Sequence, residues 1–368
     1  MIPSVYYHTV YLIFVSLLSI FTFFPYNTYS TKRLLNTQTH TRDLSLFVLV
    51  LLTFYIGFRS PTSQIFGDTY AYTRWYNNVI GDIFIWDWNV QNFLFINVML
   101  WMSSVRIPVE FFYVFVAFLY FGGIWLCCRK IFPEDTLTTF VIYLAAFSTY
   151  AAGVNGLKAG AAASMFLVSI SMHENNQKIW SFVFLFFSLG MHHAMLMPIT
   201  AFFICCFIKN PKFYAAFWII CFIMAALHVT FFQNLFVGFG EDIDEKVVGY
   251  LAGEGNAFMK QKTGFRIDFI LYSFLPILVG WVAVFKKNIK SEAYFFLLNL
   301  YTFINGIWML CMYALFTNRI AYLSWLMYPI VLIYPFLKEK WGPGQYKTFK
   351  WVAYGHLAFT LFMYFIYD

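Results

Sequence analysis

The sequence predicts an all-α, polytopic integral membrane protein, and three observations carry that prediction. Hydrophobic residues make up 61% of the 368, and charged residues only 11%. The apolar runs repeatedly approach the roughly 20 residues a helix needs to cross a bilayer's hydrocarbon core. A backbone in lipid must also satisfy its own hydrogen bonds, which a helix does within one segment.

Taken in order, and at about 17 to 25 residues per span, the runs predict about twelve crossings within one domain, residues 1–368, of which the second and sixth are short. They are Val5–Phe24, Leu44–Phe58, Pro108–Cys128, Thr136–Ala152, Leu157–His173, Ile179–Gly190, Ala194–Ile208, Phe213–Phe232, Ile267–Phe285, Glu292–Phe316, Ile320–Leu337 and Lys350–Tyr367. A further apolar stretch, Phe93–Met102, is too short to cross and is expected at the interface or re-entering. The first run lacks a basic leader and a small-residue cleavage site, so it reads as a retained helix.

Orientation follows from the basic residues. With the N-terminus outside the cytoplasm, most of the 24 Lys and Arg fall on the inner side, above all in the Lys286–Lys290 and Lys338–Lys350 loops. Acidic residues fall mostly outside. The net charge of +7 is therefore an anchoring bias. No basic stripe interleaved with aromatics points to nucleic acid. The six cysteines, Cys127, Cys128, Cys205, Cys206, Cys221 and Cys311, read as apolar fillers. No Gly-rich phosphate loop, CxxC or HExxH is present, so neither a cofactor nor a metal is expected.

Two sizeable loops, 59–107 and 233–266, share the outer face in this topology. That places a site at the outer ends of the helices, where five polar groups stand out. In the first, Arg59 precedes Gly67-Asp68-Thr-Tyr-Ala-Tyr72-Thr-Arg74. Asp68 reads as the cap of a helix with Tyr72 and Tyr76 on its face. The group is either an interfacial cap with Arg59 on lipid headgroups, or a binding cluster. In the second, glycines flank Asn155 and a new helix carries Lys158 in its first turn, a cation beside free backbone N–H groups that suits an anion. Lys158 could equally snorkel to the interface.

The third group is His192-His193, a weak metal signal but a sensible base or hydrogen-bond donor. His8, His40, His173, His228 and His356 are scattered. In the fourth, Arg266 and Asp268 lie two apart and share a helical face only if the helix starts between them; Asp268 also favours a helix start. In the fifth, Arg319 could clamp phosphate oxygens, with Tyr322 one turn deeper.

These groups, in this order, resemble the EpsG-like branch of the Wzy-type polysaccharide (O-antigen) polymerases. The resemblance lies in Gly67-Asp68-Thr-Tyr70, Asn155-Gly-Leu-Lys158, His192 before Ala194-Met-Leu, Phe265-Arg-Ile-Asp-Phe-Ile-Leu-Tyr-Ser273 and Asn318-Arg319-Ile-Ala-Tyr322, and it spans roughly residues 50 to 335. The family's usual Arg at the Asn155 helix start is Lys158 here, a point charge in place of a fork.

The resemblance implies a membrane glycosyltransferase fold of the GT-C type in a bacterial inner membrane. Its implied partners are membrane lipids and two undecaprenyl-diphosphate-linked glycans, a donor and an acceptor, with room for a chain-length regulator. The implied reaction joins the two glycans on the periplasmic face. It needs a base, for which Asp68 and His192 are the candidates, and cations for the departing diphosphate, drawn from Arg59, Lys158, Arg266 and Arg319. Tyr72, Arg74, Asn155, His193, Asp268 and Tyr322 complete the expected substrate contacts. The competing expectations are an O-antigen ligase or other lipid-linked-sugar transferase, for which one dominant loop is missing, and a flippase, for which no internal repeat is visible.

Overall fold

The computed structural model describes residues 2–27, 37–229, 231, 264–314, 317–340 and 342–367. The regular elements among these residues are all helical. In chain order they are α1 Tyr7–Phe23, α2 Thr37–Gly57, α3 Gly67–Asn78, α4 Phe93–Ser104, α5 Val109–Ile131, α6 Thr136–Leu144, α7 Thr149–Val154 and α8 Leu157–Glu174. They continue as α9 Lys178–Met191, α10 Leu196–Phe207, α11 Pro211–Ala226, α12 Ile267–Trp281, α13 Glu292–Leu310, α14 Thr317–Trp325, α15 Tyr328–Leu337 and α16 Gln345–Tyr367.

Five helical stretches among the described residues are long and apolar enough to cross a membrane: Ser4–Tyr26, Val109–Ile131, Ile267–Lys286, Glu292–Leu310 and Thr317–Leu337. Shorter apolar helices cover Phe93–Ser104, Lys178–Met191, His193–Phe207 and Pro211–Ala226. The chain is thus a polytopic all-α membrane protein. The run expected at Thr136–Ala152 is broken into α6 and α7. At 1.5 Å per residue α6 is roughly 14 Å long, less than half the hydrocarbon core. Of the expected 233–266 loop, residues 233–263 lie outside the described residues.

The chain forms two compact units. Unit 1 comprises Met1–Leu196, Phe336–Lys338 and Gly342–Asp368; unit 2 comprises Met197–Pro335 and Glu339–Trp341.

In unit 1 the helices approach closely where side chains are small, as membrane helices do without a hydrophobic drive between them. A Cβ on Gly123 of α5 would lie 2.8 Å from the Ser164 Cβ of α8. The hydroxyl of Ser164 donates to Leu119 O across the same contact at 2.9 Å. Ser188 of α9 likewise donates to Ala162 O of α8 at 2.8 Å.

The break after α6 is held by side chains that reach its terminal carbonyls, which have no helical partner. Thr149 donates to Tyr143 O, Tyr11 of α1 to Leu144 O, and Thr360 of α16 to Ala145 O, at 2.6, 2.7 and 2.7 Å. His356 of α16 lies 3.1 Å from Ile142 O through Nε2. A broken backbone at membrane depth is tolerated only where protein satisfies it in this way.

Unit 2 is built around buried indoles. Trp218 of α11 donates to Asn305 Oδ1 of α13, Trp325 of α14 to Ser273 Oγ of α12, and Trp308 of α13 to Thr317 Oγ1 at the start of α14. Each large ring therefore fills the core while its one polar atom is paired. Phe269 and Tyr272 of α12 meet Trp325 at 4.9 and 5.3 Å, and Tyr272 stacks on Tyr328 at 4.2 Å. Phe269, near the start of α12, also meets Trp308 at 6.5 Å, and Trp308 is the residue that bonds Thr317 at the start of α14. The helices α12 and α14 therefore run in the same direction, with both N-termini at one end of the unit.

Candidate active site

In unit 1, the starts of α3, α4 and α8 gather with the turn that follows α9. Arg59, just past α2, is wholly buried. Its Nε and Nη2 donate to Thr69 Oγ1 at 3.0 and 2.6 Å, Nη1 donates to Ile56 O at 2.6 Å, and Nη2 also reaches Val154 O at 3.2 Å. Its guanidinium lies over the Tyr113 ring, 4.8 Å from the centroid. Burial pulls the guanidinium down to about 10, while Tyr113, Tyr150 and Tyr7 oppose the shift. It is still a cation at neutral pH. Arg59 therefore ties the end of α2 to α3 and α7, with its side chain closed to solvent. The sequence could not show this, because an Arg at an apolar helix end ordinarily points into water or headgroups.

The helix expected to be capped by Asp68 begins one residue earlier, at Gly67, with Phe66 as its N-cap. Asp68 instead lies in the first turn, where the helix dipole favours a carboxylate. Its side chain is half-buried, as is Tyr72, while Tyr76 is fully buried and donates to Ile107 O. Tyr76 thus belongs to the core and not to the polar face. Arg74 is exposed, on a different side of α3 from the buried Thr69, Thr73 and Tyr76.

Tyr72 joins two of the sequence-predicted groups: the Lys158 ammonium lies 5.7 Å from its ring centroid. It also meets Phe95 of α4 edge-on at 5.4 Å. Lys158 occupies the first turn of α8, directly after the break at Asn155 and Gly156. Asn155 Oδ1 is buried and accepts no hydrogen bond from the described residues.

His192 and His193 follow α9 and form a short 310 turn with Met195. Their rings stack with centroids 5.1 Å apart. His192 Nδ1 accepts from the Ala194 N–H at 3.1 Å. The residue that sequence reading missed is Asn92, at the start of α4. Its Oδ1 accepts from the His193 N–H at 2.9 Å and lies 3.1 Å from His193 Nδ1. An Asn before an apolar run ordinarily signals a cap for its own helix. Here the side chain makes no cap bond and is committed to a turn 101 residues away.

In unit 2, α12 does start between Arg266 and Asp268, so the two meet. Arg266 Nε donates to Asp268 Oδ1 at 3.0 Å and Nη2 to Oδ2 at 2.7 Å, a two-pronged pair of the kind only a guanidinium makes. The same guanidinium lies 3.5 Å from the Phe269 ring centroid. Arg319 is exposed in the first turn of α14, whereas Tyr322, one turn on, is buried. Two arginines thus stand at parallel helix starts, where dipoles and N–H groups both favour an anion.

Arg59, Asp68, Tyr72, Asn155, Lys158, His192 and His193 belong to unit 1, and Arg266, Asp268, Arg319 and Tyr322 to unit 2. No curated protein and no solved structure matches the chain. The model of one protein family does, over residues 44–368, which takes in every one of these groups. The chain belongs to the EpsG family.

Proposed function

We propose that the chain is a GT-C-like inner-membrane glycosyltransferase with about twelve passes, counting helices too short to cross unaided. In this reading it polymerises undecaprenyl-diphosphate-linked oligosaccharide repeat units on the periplasmic face, in O-antigen, capsule or exopolysaccharide synthesis. The observation that carries the reading is the family match over residues 44–368. The geometry supports it with the two things the reaction needs.

An acceptor hydroxyl attacks the anomeric carbon of the donor glycan. The bond from that carbon to the diphosphate breaks, and its electron pair leaves with undecaprenyl diphosphate. The acceptor proton goes to a base. Unit 2 offers Arg266, aimed by Asp268, and Arg319 to hold diphosphate oxygens as their charge grows. Tyr322, buried one turn on, anchors the helix that carries Arg319. Unit 1 offers Lys158 beside Tyr72, with Asn155 at the same helix break, for a glycan and its phosphate. It also offers Asp68 and the histidine turn as proton acceptors. Arg74, exposed on α3, is a peripheral contact for substrate or headgroup, and Arg59 positions Thr69 and the start of α3.

Loss of the chain from a producing cell discriminates among the membrane functions. A polymerase defect leaves single repeat units at the cell surface and no ladder. A flippase defect instead leaves no surface units, and a ligase defect leaves full-length polymer on its lipid carrier; either pattern would overturn the reading.

The orientation has its own check. Ile83, on the 59–107 loop, is 93% exposed. Ile83→Cys is expected to react with a membrane-impermeant thiol reagent once the outer membrane is permeabilised, and Lys347→Cys is expected to be protected. The reverse pattern inverts the topology.

A further inference from the structure

We infer that His193 is the base that deprotonates the acceptor hydroxyl, that Asn92 sets its tautomer, and that His192 is the complementary donor. The assignment rests on the polymerase reading and decides what that reading leaves between Asp68 and the histidine turn.

The argument is one of donors and acceptors. The backbone N–H of His193 can only donate, so the Asn92 atom 2.9 Å from it must be the carbonyl oxygen and not the amide nitrogen. The same oxygen lies 3.1 Å from His193 Nδ1. Two acceptors do not share a hydrogen bond, so Nδ1 carries the proton. In a neutral imidazole that makes Nε2 the basic nitrogen. His192 is set the opposite way. Its Nδ1 accepts the Ala194 N–H, so the proton sits on Nε2. The stacked pair thus has one basic and one donating Nε2, the two roles that a sugar hydroxyl, which donates once and accepts, requires of its partners.

Asn92 is held for this task. It sits in the left-handed region at φ 56°, where Asn is among the few non-glycine residues found. The loop before it is fixed by Asn97, which donates to Asp87 O at 2.7 Å and accepts the Asp87 N–H at 3.0 Å. Gly190, at the end of α9, lets the start of α4 close in: a Cβ there would lie 2.5 Å from Leu94 Cδ1.

In the reaction, the acceptor O–H bond breaks, its proton moves to His193 Nε2, the new C–O bond forms, and undecaprenyl diphosphate departs with the electron pair. Among the described residues, the titratable groups on the turn and on the elements packed against it are these. His192 is the neighbour on the turn, α8 carries Lys158 in its near turn with His173 and Glu174 at the far end, and α9 carries only Lys178, also at its far end. Helix α4 carries none, and Asp87 in the loop before it accepts from the Asn89 N–H.

The test uses the full chain in membrane vesicles with lipid-linked repeat units extracted from producing cells, and reads polymerisation rate against pH. His193→Gln is expected to lower the rate on the order of 10²- to 10⁴-fold. Asn92→Asp keeps the left-handed turn and the acceptor, but places a carboxylate on Nδ1–H. That favours imidazolium, so the acid limb of the rate moves to higher pH by about one unit or more. His193→Gln within tenfold of wild type, or an acid limb unmoved by Asn92→Asp, overturns the assignment while the polymerase reading stands. A wild-type chain that joins no units overturns both.

Discussion

Arg319→Ala is expected to abolish the polymer ladder while the protein still accumulates in the membrane at its normal level. The side chain is exposed in the first turn of α14, so its truncation leaves the buried Tyr322 and Trp325 of that helix in place. A donor lost from the charge that develops in a transition state costs roughly 2.7 to 4 kcal/mol, a hundredfold or more in rate. Arg266→Ala is expected to reach a similar loss with some cost in stability, because it also breaks the two-pronged pair with Asp268. Arg266→Lys keeps the charge and loses the fork, so it is expected to fall between. Ladders of normal length and amount from both alanine variants, at normal protein levels, would remove the diphosphate role from unit 2.

Arg59 is expected to give the opposite signature. Arg59→Met deletes donors to Thr69 Oγ1, Ile56 O and Val154 O in a site closed to water. Hydrogen bonds from a charged group contribute about 1.5 to 3 kcal/mol each, and buried acceptors left unmade cost more than the mean. The purified chain in detergent is therefore expected to lose about 3 kcal/mol or more of stability, read as a clear drop in its aggregation midpoint on heating. A variant that melts with the wild type yet makes no polymer would place Arg59 on the substrate instead.

Much of the fold was legible in the sequence, and what escaped it has a physical pattern. Hydropathy locates apolar stretches but is blind to breaks inside them. Nothing in Thr136–Ala152 announces that α6 ends at Leu144, because the groups that make the break affordable, Tyr11, His356 and Thr360, come from α1 and α16. The candidate site divides the same way. The Arg266–Asp268 pair follows from a local rule, that residues two apart meet only if the helix starts between them. Asp68 and Lys158 were legible as helix-start charges for the same local reason. Asn92 was not, since its partner lies across the fold, and neither was the burial of Arg59, which depends on Thr69 and Val154.

The most direct measurement is polymerisation by the purified chain alone. The chain is reconstituted into vesicles and supplied with radiolabelled undecaprenyl-diphosphate-linked repeat units and no nucleotide sugar. Products longer than one repeat unit are expected, with one undecaprenyl diphosphate released for each new glycosidic bond, and neither is expected from vesicles carrying Arg319→Ala. If the wild-type chain leaves every unit at its starting length while moving it across the bilayer, or lengthens units without releasing the carrier, the account is wrong.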